Sequence, residues 1–451
     1  MRHRHGILPA LVLVLAAARI AAAGPLRIEL VSVSSSGIRG DYYSDNPSVS
    51  ANGRYIAFTS RATTLVSSPP VTSGTPSQIY LRDRQLGTTE LISIGTDGQP
   101  ANGNCDRAQV SADGRYIAFT CYASNLIAPP AVNAQTIYVR DRTAGNTYEA
   151  LRAVIGVPAY NYSVNGSPHY MSADAARFAF DFNTGSGSGL PFGIYILNEV
   201  TPTFAEVCTD AAQTDGNDYC AFGGISRDGG TVAFTSTDPG LVPGDTNGYR
   251  DAFAYAIGAA TIDRVSVNAN GSQANGNVGL PSSDWPALSG DGSLVAFNSN
   301  AATDLGGALP QSMLLVKNRT TGAILVASAN DDGTPGDPSS PYLPAFDDAG
   351  DLLAFQSNSA ALAPRLHPTS GLPDIFLRDL AHDRLLRICR SDSGSFANNQ
   401  CQHPAVSGDG SAIAFQSSAT NLVTGAVSGQ GDIYVVTNVA FDDIFADGFQ
   451  P

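Results

Sequence analysis

Apolar runs long enough to cross a membrane are missing from this sequence of 451 residues. The longest, Ile7 to Ala18, is shorter than the ~20 residues a spanning helix needs. It follows Arg2 and Arg4 and gives way to Ala21-Ala22-Ala23, the layout of a secretory leader, so residues 1–23 are expected to be a cleaved signal peptide. Helical periodicity is absent throughout, which argues against helical fold classes. G-x-S-x-G, H-E-x-x-H and P-loop signatures are absent as well, and beyond the leader the only histidines are His169, His367, His382 and His403. Charge is scarce, at 14% of residues, and basic charge scarcer: without the leader, 22 basic residues face 40 acidic ones, a formal charge of −18. Such a surface repels phosphates, so nucleic acid is not an expected partner. Only five of the acids are glutamate; the aspartates suit turns through their short side chains.

What is present is a repeat. SADGRYIAFT from Ser111 has relatives starting at Ser50, Ser172, Ser226, Ser289, Asp347 and Ser407, at steps of 61, 61, 54, 63, 58 and 60 residues. A period of that length marks a propeller or solenoid, and a ring of repeats escapes the size limit on a single core because each unit buries its faces against its neighbours.

Each unit reads as four strands. A short apolar piece, often opened by proline as in Pro47-Ser48-Val49, Pro286-Ala287-Leu288 and Pro404-Ala405-Val406, precedes an Asp-Gly or Asn-Gly turn suited to a tight hairpin. The second strand carries an Ala-Phe pair in all seven copies, from Ala57-Phe58 to Ala414-Phe415. Adjacent apolar residues on a strand face opposite ways, so the sheet must be covered on both sides. IYLRDR from Ile79 and IYVRDR from Ile137 mark the third strand; TTELISIGTDG from Thr88 marks the fourth. After the seventh third strand the chain has no further strand pattern, whereas Leu26 to Ser34 matches the fourth strands. The expectation is therefore an all-β, seven-bladed β-propeller of four-stranded antiparallel blades over residues 24–438, its ring closed by the N-terminal strand, with a tail at 439–451.

The S-x-D-G-R-x-I-A-F core with IYLRD downstream resembles the PD-type repeats of TolB-like β-propellers, a WD-related group, and of exported bacterial tandem-repeat proteins. The resemblance covers roughly Leu26 to Asn438. It implies a propeller whose role could be that of a binding module, a scaffold or a lyase.

Six cysteines fit export to a secreted or periplasmic location. Cys208 and Cys220 lie 12 apart, as do Cys389 and Cys401, each pair at the same offsets from its repeat. Cys105 has Ser93 at the partner offset, so Cys121, opposite it across the hairpin at Asp113-Gly114, is its expected partner. Zinc would ask for a C-x-x-C or an adjacent histidine, and neither is present.

Positions that differ from blade to blade at a fixed place are where a task can be written. The residue before the first-strand proline, or its equivalent, is Asn46, Arg107, Ser167, Phe222, Trp285, Leu343 or His403. These are expected to ring one channel mouth, with Asn46, Arg107, the single tryptophan Trp285 and His403 binding a protein or carbohydrate ligand. They would also serve as cap residues that pack on neighbouring loops. A lyase would draw on His169, His403 and Arg107 as base, acid and anion clamp. Asp245, Asn247 and Asp251 have the spacing of a calcium loop, though an Asx turn accounts for the same residues; Asp374 and Asp432 keep the last acid in two other blades. The chain is expected to act as a monomer.

Overall fold

The computed structural model describes residues 26–128, 135–150, 162–163, 170–182, 193–199, 203–209, 220–278, 286–300, 305, 313–336, 343–362, 371–425 and 429–437. Residues 1–23, expected to be a leader, the 439–451 tail, Ser167, His169, Trp285 and His367 lie outside them. The described strands form seven four-stranded antiparallel sheets. The first blade runs Ser44–Val49, Tyr55–Ser60, Gln78–Asp83 and Thr88–Leu91; residues 105–149, 162–209, 221–264, 287–326 and 345–387 repeat the order. The last blade takes Cys401–Val406, Ala412–Ser417 and Asp432–Thr437 from the C-terminal part of the chain and its outer strand, Arg27–Leu30, from the N-terminal part. Arg27 lies opposite Thr437 and Leu30 opposite Tyr434, which closes the ring. Among the described residues no helix is long and apolar enough to cross a membrane.

The repeated residues explain the blade. Every Ala-Phe pair is buried, and Phe58, Phe119 and Phe415 stack on Tyr80, Tyr138 and Tyr434 of the third strand at centroid distances of 5.9, 5.9 and 6.1 Å. In two blades the arginine after the glycine forks onto the third-strand aspartate: Arg54 on Asp83 at 3.0 and 2.7 Å, Arg115 on Asp141 at 3.1 and 2.8 Å. Third-strand cations stitch blades together by donating to carbonyls of the preceding one. Arg82 reaches Ser34, and Lys317, the only lysine in the chain, is buried with Nζ on Val267 and Asn268.

The Ser-x-Asp-Gly turn is a closed hydrogen-bonded unit. Ser111 Oγ donates to Asp113 at 2.7 Å and accepts from the Tyr116 amide at 2.9 Å, while Gly114, at φ 75°, returns its N–H to the Ser111 carbonyl. Ala175 holds the glycine position in blade three at φ 57°. Backbone groups of the first two residues after each turn's opening Ser or Asp link the turns into a circle. Backbone bonds run from Ala51 to Ala112, Ala112 to Ala173, Ala173 to Arg227, Asp228 to Gly290, Gly290 to Asp348, Asp348 to Gly408 and Asp409 to Ala51.

All three expected disulfides are present: Cys105–Cys121, Cys208–Cys220 and Cys389–Cys401. The first joins directly opposed residues of one hairpin. The other two tie the outer strand of one blade to the inner strand of the next.

A candidate binding site at the channel mouth

First strands of neighbouring blades meet around the ring, so they line the central channel. Strand register sorts the connections between two faces. One carries the Ser-x-Asp-Gly turns and the tight turns between third and fourth strands; the other carries the starts of the first strands and the long connections. The turn face is narrowed by the backbone circle, and Arg227 reaches across Gly290 to Asp348 at 2.5 Å. Glycine at 290 and 408 leaves room for this pair: a Cβ at either position would fall within 2.6 Å of Asp348. Arg227 and Asp348 differ from the Ala or Gly that fills the other five equivalent positions, a signal the sequence carried at a position not singled out there.

The opposite face carries the starts of the first strands, and in blades one, two and seven these strands bulge there. Asn46 and Pro47 together face Phe58, Arg107 and Ala108 face Phe119, and His403 and Pro404 face Phe415. Asn46, Arg107 and His403 adopt left-handed φ of 51°, 54° and 52°. Such backbone is uncommon for these residues and needs support. Asp45 and Asp106 supply it by accepting the following amide at 2.7 Å, and Gln356 of blade six accepts that of His403 at 3.0 Å.

The same groups link the blades into a polar arc. His403 Nδ1 lies 2.5 Å from Asp45, whose other oxygen accepts the Tyr43 hydroxyl at 2.5 Å. Asn46 donates to Asp106 at 2.9 Å, as does Thr59. The Tyr170 hydroxyl donates to the Arg107 carbonyl at 2.7 Å. Burial would raise the Asp45 carboxyl, but His403, Tyr43 and the Asn46 amide together hold it below its ordinary value. Burial drives the Asp181 carboxyl, near Arg107, well above its own. Tyr42, Tyr43, Tyr122 and Tyr249, among the exposed large side chains, all lie on this face.

The structure thus brings His403, Asn46 and Arg107 into one arc through Asp45 and Asp106, neighbours the sequence reading passed over. Phe222 departs from expectation. It pairs with Phe234 and is fully buried, leaving Gly223 as the extra residue of the bulge, and it lacks the left-handed φ of Asn46, Arg107 and His403. Leu343 is half-buried just ahead of its strand.

Asp245, Asn247 and Asp251 also come together, around an arginine. Arg264 Nη1 lies 3.2 Å from Asp245 and 3.3 Å from Asp251, and Asn247 donates to Asp251 at 3.2 Å while accepting the Tyr249 amide in an Asx turn. Asp374 and Asp432 repeat the arrangement with Arg387 and Arg39. Asn247 and Arg264 also line a polar groove of about 720 Å³ with Thr246, Asn268, Gln273 and Asn275 among others. Among the described residues, Asp374, Cys389 and Cys401 are grouped closely enough for a metal ion, but the two sulfurs are joined as a disulfide.

No family model and no curated protein matches this sequence. Solved structures do match. An oligogalacturonate lyase in complex with manganese aligns at TM-score 0.53 and 12% identity over 92% of this chain and 96% of its own. An oligogalacturonate lyase from Vibrio parahaemolyticus aligns at 0.52 and 12% over 92% and 97%. TolB from Acinetobacter baumannii aligns at 0.40 and 12% over 68% of this chain, which spans 58% of the TolB chain. At such identity the likeness to the lyases is one of fold: this chain is a β-propeller scaffold. Its disulfides are consistent with an extracytoplasmic location.

Proposed function

We propose that this protein is an exported binding propeller that takes a carbohydrate at the mouth of its channel that carries the first-strand bulges. The observation that carries the reading is the polar arc of Asp45, Asn46, Asp106, Arg107 and His403, built on supported left-handed bulges and differing from blade to blade. Sugars offer hydroxyls to such donors and acceptors and C–H faces to aromatic rings, and tyrosines stand exposed on the same face. Narrowing of the far end by the backbone circle and the Arg227–Asp348 pair favours approach from the mouth. A glycan panel measured by calorimetry tests the reading. Affinity for a bound glycan should fall at least tenfold in Asp45→Asn with His403→Gln; a panel with no binder would remove the carbohydrate and leave a protein ligand.

The His403–Asp45 contact favours one second reading. A carboxylate that orients an imidazole makes it a competent general base, and the lyases with this fold act on an acidic oligosaccharide by their names. Turnover abolished in His403→Gln would establish a lyase; binding of the glycan without turnover would exclude it.

A further inference from the structure

The polar groove in blade four shares no residue with the arc at the mouth. One wall is the loop at 243–247, between the second and third strands; the other is the hairpin at 268–275, which follows the fourth strand. At about 720 Å³ the groove has the size of a small-molecule site. A single amide joins its walls. Gln273 donates to the Gly244 carbonyl at 2.8 Å and to Thr246 Oγ1 at 3.1 Å, and it accepts from the Thr246 amide at 3.2 Å and from Arg264 Nη1 at 2.8 Å. Those four bonds saturate the side chain. The bridged position of the other described hairpins is held by Arg39, Pro100, Pro335 or Phe396, none of which can both donate and accept in this way. The walls are thus braced against each other by the protein itself, and a site that needs no ordering binds at lower cost.

The lining decides what fits. Of the side chains that form it, Pro243 alone is apolar and none is a carboxylate. An apolar ligand would find nothing to cover it. The cation, Arg264, lies 3.2 Å from Asp245 and 3.3 Å from Asp251, so two carboxylates already neutralise it and it offers no net attraction to an anion. What remains is hydrogen bonding by neutral groups. The Thr246 and Ser272 hydroxyls, one from each wall, donate to no group among the described residues. Uncharged donors and acceptors without an apolar floor match a ligand rich in hydroxyls. A bound peptide would ask for a sheet edge or for pockets that take apolar side chains, and these walls are a loop and a turn. Tyr249, whose amide closes the Asx turn on Asn247, stands exposed two residues beyond the first wall, where its ring can take the C–H face of a sugar.

We infer that this groove is a second ligand site, for neutral sugar units, on the face of blade four that carries the long connections. The inference goes beyond the reading of the mouth and stands or falls separately from it.

Saturation-transfer NMR titrations on the purified protein decide it, with maltose, cellobiose and lactose as neutral probes, a glucuronate-containing disaccharide as the acidic one, and triglycine. They are run on the parent and on the Asp45→Asn, His403→Gln double variant, which impairs the mouth. Into each is introduced Ser272→Trp, whose indole fills the groove, or Thr334→Trp as control. Thr334 is the matched site in blade five: its carbonyl accepts the Asn330 amide at 2.9 Å as that of Ser272 accepts the Asn268 amide, and both residues are exposed. An unchanged melting midpoint confirms the fold of each variant. At least one neutral disaccharide is expected to bind the double variant, to lose at least tenfold in affinity with Ser272→Trp, and to be unaffected by Thr334→Trp. Ser272→Ala, which removes only the hydroxyl, should cost severalfold. A sugar bound by the parent and lost in the double variant, with Ser272→Trp silent, overturns the groove and leaves the mouth standing. Acidic disaccharide or triglycine bound more tightly than every neutral sugar, and displaced by Ser272→Trp, overturns the ligand class. No neutral disaccharide bound, or one bound without regard to Ser272→Trp, overturns the site.

Discussion

Glu199 ends the third strand of blade three, where Arg84 and Arg142 stand in blades one and two. Its Oε1 is buried without a hydrogen-bond partner among the described residues, and burial pushes its carboxyl up to about 7. A carboxyl raised in the folded state favours folding when protonated. Stability from this source is complete below the ordinary value of 4.5 and is lost as pH rises through about 7. Glu199→Gln should therefore raise the melting midpoint at pH 8 by about 1–2 °C and leave it unchanged at pH 4. A shift of equal size at both pH values would mean that the charge is not the cause. Gly114 makes the opposite kind of demand. A Cβ there would stand 2.1 Å from the Tyr55 ring of the neighbouring blade, on a backbone already at φ 75°. Tyr55 lies beneath the guanidinium groups of Arg54 and Arg142, at 4.7 and 4.8 Å, and has little freedom to retreat. Gly114→Ala should cost about 2 kcal/mol or more in denaturant unfolding, against a few tenths at an open site such as Gly258.

At the scale of elements, the loop from Asp245 to Asp251 gathers its two carboxylates around an arginine. Calcium binds through several hard oxygens, and here Arg264 already satisfies two of the carboxylates. A chelator should leave the melting curve unmoved; a higher midpoint in millimolar calcium would show that the ion displaces the arginine, since a ligand bound only by the folded state must stabilise it. The disulfides act between elements as well. Cys389–Cys401 closes a loop of 12 residues between the outer strand of blade six and the inner strand of blade seven. Cross-links of that length restrict the unfolded chain by about 3 kcal/mol. Replacing both cysteines by serine should lower unfolding stability by roughly that amount.

The molecule as a whole depends on joining its two ends. Arg27–Leu30 supplies the last blade's outer strand, and Val31 continues the pairing through its amide on the Ile433 carbonyl at 2.8 Å. Each blade rests on two neighbours, so an incomplete last sheet exposes an edge and loosens contacts on both sides. Deleting Leu26 to Ser36 should abolish cooperative unfolding, and a truncated chain that melts as sharply as the parent would refute the closure's role. The circle of backbone bonds through the seven turns adds a second closure that does not depend on side-chain identity.

Blade number, strand order, closure and cysteine pairing were legible in the sequence because each is written by local chemistry repeated at a fixed period: a turn that needs Gly, an Ala-Phe pair covered on both sides, cysteines at matching offsets. Asn46, Arg107 and His403 could likewise be found as variable positions at a fixed place. What stood beside them could not. Asp45 reaches His403 across 358 residues of chain, Arg264 sits between Asp245 and Asp251, and Arg227 reaches across Gly290 to Asp348. The first and last of those pairings bring together residues from different repeats, and the pairing of Phe222 with Phe234 buries it away from the mouth. A periodic sequence fixes what each blade is; which side chains of different blades meet at the axis is decided only when the ring closes.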